Sequence, residues 1–570
     1  MGMAMKYAGN FATLAALLVL VLGTSNVQAQ TVEDGTSPPD SIDYAMFYLS
    51  DVRDAAECDV TVQNGRIDFG AVVTNPAMTC PDAFAWSLFV RTVSGGFWEN
   101  WSTDRQIWPN DPWPRCGPDG LTENCCPELG SSHDGSPEHC PVFPGGAEGF
   151  PSHQLQASSK AHSVSLANAA GSDDATWDDV PDALRAAVIG NIQDELIYRN
   201  EVMTQYLFDN ELYFTDGLAA VFERNARATE AYAPYQAELI DPAVNHAVPA
   251  PITSIVFPIS SVMVKINWIA ASEAPTYGID PYDTENPFIT MNLVPQTGDE
   301  KDEPEPYIAV SFHISSKDTP NWFWTTFEHV ANQGRCDWIG CNDSFGFETI
   351  QTITIDESVA AGLPPVARNY TPPNKLTTID GRSLEAFDLA QTYLGVDRMT
   401  PELTTILDAF DIGTAGDVNT TGQPTQQDAA WRSYRLKGTQ TDWVTSEGHE
   451  TRLGNSVTEA GFVNTASCIS CHARAAVNED GLLIHAIFEN SLSNAGIPQS
   501  PSGTPNPMLY SINQLWGLGG NFESLQIRSI QTDFVWGFRF SCPIEPLEFG
   551  PAWCNNVTGP GYSSPVPTVD

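Results

Sequence analysis

Two cysteines and a histidine near the C-terminal end form the most specific chemical pattern of the chain. They stand in the stretch TASCISCHARAAV as Cys468, Cys471 and His472, in the order Cys-x-x-Cys-His. Two residues between the cysteines let both sulfurs reach vinyl groups on one porphyrin edge, and the histidine then lies beneath the iron. Residues 473–477 favour a helix that would support it. The pattern predicts one covalent haem c held by Cys468 and Cys471, with His472 as the proximal iron ligand.

Three other kinds of site use closely spaced cysteines. A structural zinc site needs four ligands, and no second Cys-x-x-Cys or His-x-His follows at the spacing of a zinc finger. A thioredoxin-like redox pair belongs to a βαβ context, which is not evident upstream of the motif. A disulfide across two residues has poor geometry for a structural bond. These comparisons favour haem attachment.

The second axial position of the iron separates two functions. A thioether or imidazole ligand there would favour electron transfer, and the candidates are Met508 or His329, followed by His449 and His485. An open position would favour peroxidase or oxygenase chemistry, which needs a distal acid or base. Glu328 and His329 are the compact carboxylate–imidazole pair with that potential. Because consecutive strand residues point to opposite faces, only one of the two could face the haem.

The N-terminal stretch predicts export. Lys6 precedes an apolar core over residues 11–22, and Val27-Gln28-Ala29 offers the small-x-small pattern of a signal-peptidase site. The apolar core is short for a membrane span, and no later stretch is long and apolar enough to cross a bilayer. We expect residues 1–29 to be a signal peptide and the remaining chain to be periplasmic or secreted in a bacterium, where haem c is attached.

Export also allows disulfides. The chain has 12 cysteines, so those outside the haem motif are even in number and can all pair. Their spacing favours three local bonds: Cys58 with Cys80, Cys336 with Cys341, and Cys542 with Cys554. Two more bonds would form within a cluster whose connectivity the sequence leaves open, namely Cys116, Cys125, Cys126 and Cys140.

The formal charge of −45 describes a strongly acidic surface. Such a surface repels nucleic acid and anionic membranes, so both are disfavoured as partners. The partner expected from the haem motif is a redox protein or a small-molecule electron donor or acceptor.

The periodicity of apolar residues predicts a mixed α+β fold. Helical spacing occurs over residues 181–208, 217–232 and 383–394. Alternation in YIAVSFHIS and the aromatic run WFWTTFEHV predict an antiparallel β-hairpin over residues 307–330, and residues 254–272 add another strand-like stretch. In that hairpin His313 could lie near His329, and two histidines on adjacent strands could bind a metal. We expect a scaffold over residues 30–380 with an antiparallel sheet and disulfide-stapled loops. A cytochrome c-like, helical haem-binding part would follow over residues 381–570.

Several phrases occur along the chain in one order: FAWSLFV with FWENW, SSVMVKINWIAAS, SFHISSKDTPNWFWTTFEHV, WRSYRLKGTQTDW, LGNSVTEAGFVNTASCISCHARA and QTDFVWGF. Together they resemble a family of large exported bacterial cytochrome c proteins with a single C-terminal haem motif. The resemblance implies one cooperative unit containing the haem motif and the phrase Trp-x-Trp-x-Thr-Phe-Glu-His, but it implies no substrate. Relatives of this kind tend to have Asp-Asn after Glu-His, whereas this chain has Val330-Ala331-Asn332, so no role is carried over to that acidic position.

The leading hypothesis is an exported monohaem c-type cytochrome that binds haem covalently and transfers electrons. A simple electron carrier needs far fewer residues than the 570 present, so the remainder suggests a catalytic pocket or a docking surface. The alternative is a haem-dependent oxidoreductase of peroxidase or oxygenase type with an open distal site. A third hypothesis is a protein whose haem senses a ligand or the redox state.

Overall fold

A computed structural model describes part of the chain. The described residues are 58–119, 123–130, 139–144, 155–157, 166–172, 175–180, 188–190, 192–231, 254–295, 303–332, 335–336, 339–349, 370–371, 376–377, 383–384, 397–413, 429–444, 450–459, 463, 466–484, 503–505, 510–513, 525–559 and 561–562.

The helices are mostly short. The α-helices in chain order are α1 (Pro76–Thr79), α2 (Pro81–Ser94), α3 (Phe97–Asn100), α4 (Asp104–Ile107), α5 (Leu166–Ala170), α6 (Glu201–Asp209), α7 (Thr215–Ala231), α8 (Pro401–Ala409) and α9 (Cys468–Ala473). Short 3-10 helices cover Trp177–Asp179, Ala274–Tyr277, Ala429–Ser433 and Trp536–Phe540.

One antiparallel sheet organises the fold. Its strands in chain order are β1 (Ser102–Thr103), β2 (Gln156–Ala157), β3 (Asp194–Arg199), β4 (Val262–Ala270), β5 (Thr290–Leu293), β6 (Glu305–Ser316), β7 (Phe323–His329) and β8 (Tyr434–Gln440). In space the order is β8-β7-β6-β4-β3-β1, while β2 also pairs with β3 and β5 with β6. The β6–β7 register places Phe312 opposite Phe327 and Ser311 opposite Glu328.

Small two-stranded ribbons lie outside this sheet. The antiparallel ones are Val60–Gln63 with Arg66–Phe69, Cys341–Asn342 with Tyr370–Thr371, Phe347–Thr349 with Asp397–Met399, Leu376–Thr377 with Ser383–Leu384, Ala476–Val477 with Ile530–Gln531, and Ser511–Asn513 with Leu525–Ile527. Gly550–Pro551 and Gly561–Tyr562 pair in parallel.

One face of the main sheet is apolar and packs against α2. Phe312 and Phe327 stack with their ring centroids 4.9 Å apart. Phe89 and Trp86 of α2 lie against Phe327, with centroid distances of 5.2 and 5.1 Å. All four side chains are buried, so this aromatic layer, called the α2 face below, forms the centre of the hydrophobic core.

The opposite face carries buried polar side chains and meets the C-terminal part of the chain. Because side chains alternate along β7, Thr326 and Glu328 point away from Phe327. Asn455 donates a hydrogen bond to Thr326 Oγ1 at 3.0 Å. Gln440, at the end of β8, donates to Ser467 Oγ, directly before the Cys-x-x-Cys-His motif, at 2.9 Å. This polar side is called the α9 face below. The sheet therefore separates a packing layer from the candidate site.

Several fold predictions are confirmed. The hairpin predicted over residues 307–330 is the antiparallel pair β6–β7. The helix predicted over residues 217–232 is α7, and the strand-like stretch 254–272 contains β4. With helices, an antiparallel sheet and stapled loops, the fold class is α+β as expected.

Two helix predictions are contradicted in part. Within residues 181–208, residues 188–190 and the helix Glu201–Asp209 are helical, but residues Asp194–Arg199 form β3. The sequence of β3 does not alternate between apolar and polar residues as an exposed strand would, because both of its faces are buried. One face carries Glu195, which pairs with Lys265 and Arg539, and Arg199, which pairs with Asp104. Within residues 383–394, Ser383–Leu384 is a strand paired with Leu376–Thr377, and residues 385–394 lie outside the described part.

The disulfide prediction is confirmed, and the structure resolves the open cluster. The bonds are Cys58–Cys80, Cys116–Cys125, Cys126–Cys140, Cys336–Cys341 and Cys542–Cys554. Five disulfides indicate folding in an oxidising compartment. Among the described residues, no helix combines the length and apolarity that crossing a membrane requires. The predicted signal peptide over residues 1–29 lies outside the described residues.

The sheet extends across the expected boundary at residue 380. Strand β8, from the part expected to bind haem, pairs with β7 of the scaffold along most of its length. The C-terminal part therefore contributes a strand to the main sheet as well as the segment that covers its α9 face.

Candidate functional site

The two motif cysteines begin helix α9 and are the cysteines that form no disulfide. Cys468 is buried, and its Sγ lies 3.3 Å from the carbonyl oxygen of Leu453. Cys471, one turn later, is half-buried. Both sulfurs therefore lie on one short helix, at the spacing from which thioether bonds to one porphyrin edge can form.

The start of α9 is fixed by a network from strand β8. Ser467 is the N-cap, and its Oγ accepts a hydrogen bond from the Ser470 N–H at 3.4 Å. The side-chain amide of Gln440 bridges the same turn, because its Nε2 donates to Ser467 Oγ at 2.9 Å and its Oε1 accepts from the Ile469 N–H at 3.0 Å. A cap satisfies backbone groups that a helix start leaves unpaired. Strand β8 of the sheet thus fixes the start of the helix that carries the two cysteines.

The end of α9 is held by two side chains from later in the chain. The carbonyl oxygen of Ala473 accepts hydrogen bonds from Tyr510 Oη at 2.5 Å and from Gln531 Nε2 at 2.7 Å. Burial raises the pKa of Tyr510 to about 12, so its hydroxyl keeps its proton and remains a donor at neutral pH. The helix is therefore fixed at both ends although it has only six residues.

The ring of His472 is oriented by a backbone carbonyl. His472 Nδ1 lies 2.8 Å from the carbonyl oxygen of Phe534. A carbonyl oxygen can only accept, so Nδ1 carries the proton and the lone pair of the neutral imidazole is on Nε2. Metal-ligating histidines are oriented in this way, by donation from the other ring nitrogen. The indole of Trp324 packs on the ring, with centroids 4.3 Å apart.

The carbonyl that orients His472 belongs to a strained turn. Asp533 and Phe534 both have positive φ, 47° and 67°, and the Val535 N–H closes the turn by donating to Thr532 O at 3.1 Å. This is the pattern of a type I′ turn, which favours Asn and Gly at its centre. A bulky residue in this region costs about 1–3 kcal/mol and persists only where the surroundings enforce it.

Buried side chains enforce this turn. Asp533 Oδ1 lies 2.5 Å from Lys317 Nζ, and Asp533 Oδ2 accepts from the Phe257 N–H at 2.7 Å. Just beyond the turn, Arg539 pairs with Glu195 of β3 at 3.0 Å. The scaffold therefore holds the segment that meets His472 through two ion pairs.

Glu328 supports the segment that covers the α9 face. It is fully buried, accepts from the Ser456 N–H at 2.8 Å and from the Ser456 hydroxyl, and lies 3.3 Å from Lys437 Nζ. Three residues before Ser456, Leu453 provides the carbonyl that contacts Cys468. Glu328 thus acts on the motif through this segment rather than by facing a ligand.

His329 points to the other face of the sheet. Its ring stacks on Phe288 at 3.5 Å. Its Nδ1 accepts from the Ala331 N–H at 3.1 Å and its Nε2 donates to Pro287 O at 3.3 Å. Burial lowers its pKa to about 3, and Arg435 adds to that effect. The structure does not bring His329 together with His472, which packs against Trp324 on the opposite side of β7.

The remaining candidates divide into two groups. His313 Nε2 lies 3.1 Å from Thr458 Oγ1, on the α9 face and therefore across the sheet from His329. Within the described part of the chain, no group of three or more His, Cys, Asp or Glu side chains could hold a metal ion. Met508, His449 and His485 lie outside the described residues.

Sequence reasoning missed the residues that position the motif. Trp324 and Asp533 stand in phrases that carry the family resemblance, but no local pattern connects them with His472. Lys317 and Gln440 also stand in such phrases, but their roles depend on contacts between segments far apart in the chain. Neither a protein-family model, a curated protein nor a solved structure matches the chain.

Proposed function

We propose that this chain is an exported c-type cytochrome that binds one haem covalently and transfers single electrons. The observation that carries the proposal is the hydrogen bond from His472 Nδ1 to Phe534 O at 2.8 Å. It puts the lone pair of the neutral imidazole on Nε2, the nitrogen that would ligate the iron, and His472 directly follows the two cysteines outside the disulfides. The donor set therefore fits haem c.

Each residue has a defined task in this proposal. The Cys468 and Cys471 thiols would each add their S–H across one vinyl group of the haem, so no atom is lost and no oxidant is needed. His472 Nε2 would bind the iron, and Trp324 would hold the imidazole plane from one side. Bound haem would supply an iron that alternates between ferric and ferrous states by one electron.

A dithiol oxidoreductase is less well supported by the same geometry. Thiol exchange requires an accessible thiolate, whereas Cys468 is buried against Leu453. An attached haem, in contrast, needs both sulfurs on one side of a fixed helix. The caps at both ends of α9 suit that fixed geometry.

Electron transfer is favoured over the peroxidase or oxygenase alternative. The acid–base pair expected for that chemistry is Glu328 and His329, and both side chains are engaged in internal hydrogen bonds on opposite faces of the sheet. Neither is oriented by the contacts that fix His472. The five disulfides agree with the expected periplasmic or secreted location.

The test is to produce the chain in a bacterium that attaches haem c and to assay haem after denaturation. We expect one haem per chain in the wild type and none bound through two thioethers in Cys468→Ala or Cys471→Ala. The matched control is the double variant Cys58→Ala/Cys80→Ala, which removes a disulfide and should keep the haem. A wild-type protein without covalent haem would refute the proposal.

The ferrous absorption spectrum then separates the two functions. Sharp low-spin bands that do not change with carbon monoxide indicate that both axial positions are filled and support electron transfer. A high-spin spectrum that shifts with carbon monoxide would instead support the oxidoreductase.

A further inference from the structure

We propose that the buried Lys317–Asp533 ion pair is a positioning device for His472, acting through the strained turn that presents the Phe534 carbonyl. The inference rests on the proposed haem site, because it concerns the donor strength of the axial imidazole. It assigns a role to two residues that contact neither cysteine of the motif.

The ion pair connects the end of β6 to the turn. Lys317 directly follows β6, and its Nζ lies 2.5 Å from Asp533 Oδ1 and 2.8 Å from Pro320 O. Both charged side chains are only 7% exposed. Solvent therefore does not compete strongly for either charge, and the pair is a directional contact rather than a surface one.

The second carboxylate oxygen of Asp533 contacts another part of the scaffold. Asp533 Oδ2 accepts from the Phe257 N–H at 2.7 Å. One side chain therefore joins the turn to β6 and to the segment before β4. This double attachment explains how two successive residues, Asp533 and Phe534, can keep positive φ.

The same turn delivers the carbonyl to the ligand. Phe534 O accepts from His472 Nδ1, while the Phe534 ring lies 6.2 Å from Trp324, the residue that packs on His472. If the turn relaxed to negative φ, the peptide after Phe534 would rotate and the carbonyl would leave the imidazole. The ion pair thus controls a hydrogen bond that it does not touch.

This hydrogen bond has an electronic consequence for bound iron. Donation from Nδ1 makes the imidazole a stronger base at Nε2, which stabilises the ferric state more than the ferrous state. Losing the bond should therefore raise the reduction potential. Lys317 Nζ also lies 5.6 Å from the Trp322 ring and 6.0 Å from the Phe534 ring, so its charge acts on the site directly.

The variants must therefore separate position from charge. Asp533→Asn keeps the shape and tolerates positive φ, and Lys317→Met removes the cation with little change in length. The double variant Asp533→Asn/Lys317→Met leaves the net charge unchanged and reports on position. Lys317→Arg restores the cation. Asp408→Asn is the control. It removes the charge of Asp408 on α8, which pairs with Arg432 at 2.5 Å, and α8 packs on the α2 face.

The measurements are the reduction potential and the exchange rate of the His472 Nδ1 proton in the ferrous protein. In the double variant we expect the equilibrium to shift toward ferrous by about tenfold, or about 59 mV for one electron, with proton exchange at least tenfold faster. Lys317→Arg and Asp408→Asn should stay close to the wild type.

Each outcome decides the inference. A double variant with covalent haem and an unchanged potential and exchange rate overturns it, while the proposed function stands. A Lys317→Arg protein that behaves like Lys317→Met also overturns it. If Asp533→Asn fails to fold, the exchange rate of the His472 Nδ1 proton decides, because it reports on the hydrogen bond rather than on the charge. A rate at least tenfold faster in Lys317→Met than in Lys317→Arg supports the inference, and equal rates overturn it. A wild type without haem overturns both the inference and the proposed function.

Discussion

The two faces of the main sheet use the same strands for different purposes. On the α2 face, Phe312 and Phe327 stack on each other and on the aromatic residues of α2. On the α9 face, Glu328 is paired with Lys437 and Ser456. Aromatic packing is tolerant in direction, whereas hydrogen bonds and ion pairs are directional. The difference indicates that the α2 face stabilises the fold, whereas the α9 face positions the residues of the Cys-x-x-Cys-His motif.

Polar groups on the α9 face are costly to bury, and this cost favours a positional role. Replacing a buried ion pair by apolar residues is often neutral or stabilising, so such a pair is weak support for stability. Lys437–Glu328 and Lys317–Asp533 both end at segments that contact the motif, through Leu453 and Phe534 respectively. The difference between the two faces can therefore be tested with one variant on each face, chosen so that both lower the free energy of unfolding equally. Only the variant on the α9 face should also affect the motif.

The largest effect is expected at two neighbouring residues of β7. Glu328→Ala leaves the buried Lys437 charge unpaired and should lower the free energy of unfolding by about 3–5 kcal/mol. Phe327→Ala removes a core aromatic ring and should cost a similar amount, about 3–5 kcal/mol. Only Glu328→Ala should also reduce covalent haem in the folded fraction. Urea unfolding gives the stabilities, and haem absorbance after denaturation gives the attachment.

The double variant Glu328→Met/Lys437→Met tests the explanation. It removes both charges, so it should regain part of the lost stability, but it leaves Ser456 without its acceptor and should still attach haem poorly. If Phe327→Ala reduced haem attachment as much as Glu328→Ala, the division between the two faces would be wrong.

A second effect concerns pH and lies on the side of the sheet away from the motif. Burial lowers the pKa of His329 to about 3, whereas an unfolded histidine titrates near 6.5. Between these two pKa values the imidazole is protonated in the unfolded chain but not in the folded one. The free energy of unfolding therefore decreases as pH falls from about 6.5 toward 3. This amounts to about 3 kcal/mol at pH 4.

The variant His329→Gln isolates this contribution. Its amide oxygen can still accept from the Ala331 N–H, but it does not titrate. Asp343 acts in the opposite direction: burial and then Asp82 raise its pKa to about 7, so its contribution is lost as pH rises through that value. The contribution of Asp343 is the same in wild type and His329→Gln, so it cancels in the difference between their free energies of unfolding. Parallel stability curves from pH 4 to 7 would contradict the assigned pKa of His329, and the ferrous spectrum of the haem-loaded protein should be unchanged.

The sequence predicted the parts of the molecule that depend on local pattern. The β6–β7 hairpin follows from alternation over residues 307–316, and local spacing gave three of the disulfides. Strand β3 was missed because alternation fails where charged residues such as Glu195 are buried and paired across elements. Local periodicity cannot show that a charge has a partner far away in the chain.

The candidate site shows the same limit. The motif itself, Cys468 to His472, is contiguous and can therefore be recognised from the sequence alone. The groups that orient it are Gln440, Trp324 and Phe534, which approach from three separate segments. The opposite directions of Glu328 and His329 follow from their adjacency in a strand, but the sequence could not show that both side chains are engaged in internal hydrogen bonds.

The smallest effect is expected from replacing two helix caps, one on each face of the sheet. Ser467 caps α9, and Thr400 caps α8, where its Oγ1 accepts from the Leu403 N–H at 3.1 Å. Replacing either by Ala should lower the free energy of unfolding by about 1 kcal/mol. In Ser467→Ala the Gln440 amide also loses an acceptor, so the first turn of α9 should loosen and the cysteines should react more slowly with haem. Time courses of haem attachment should therefore differ between the variants while their urea midpoints agree, and equal time courses would show that the cap supports the helix without positioning the motif.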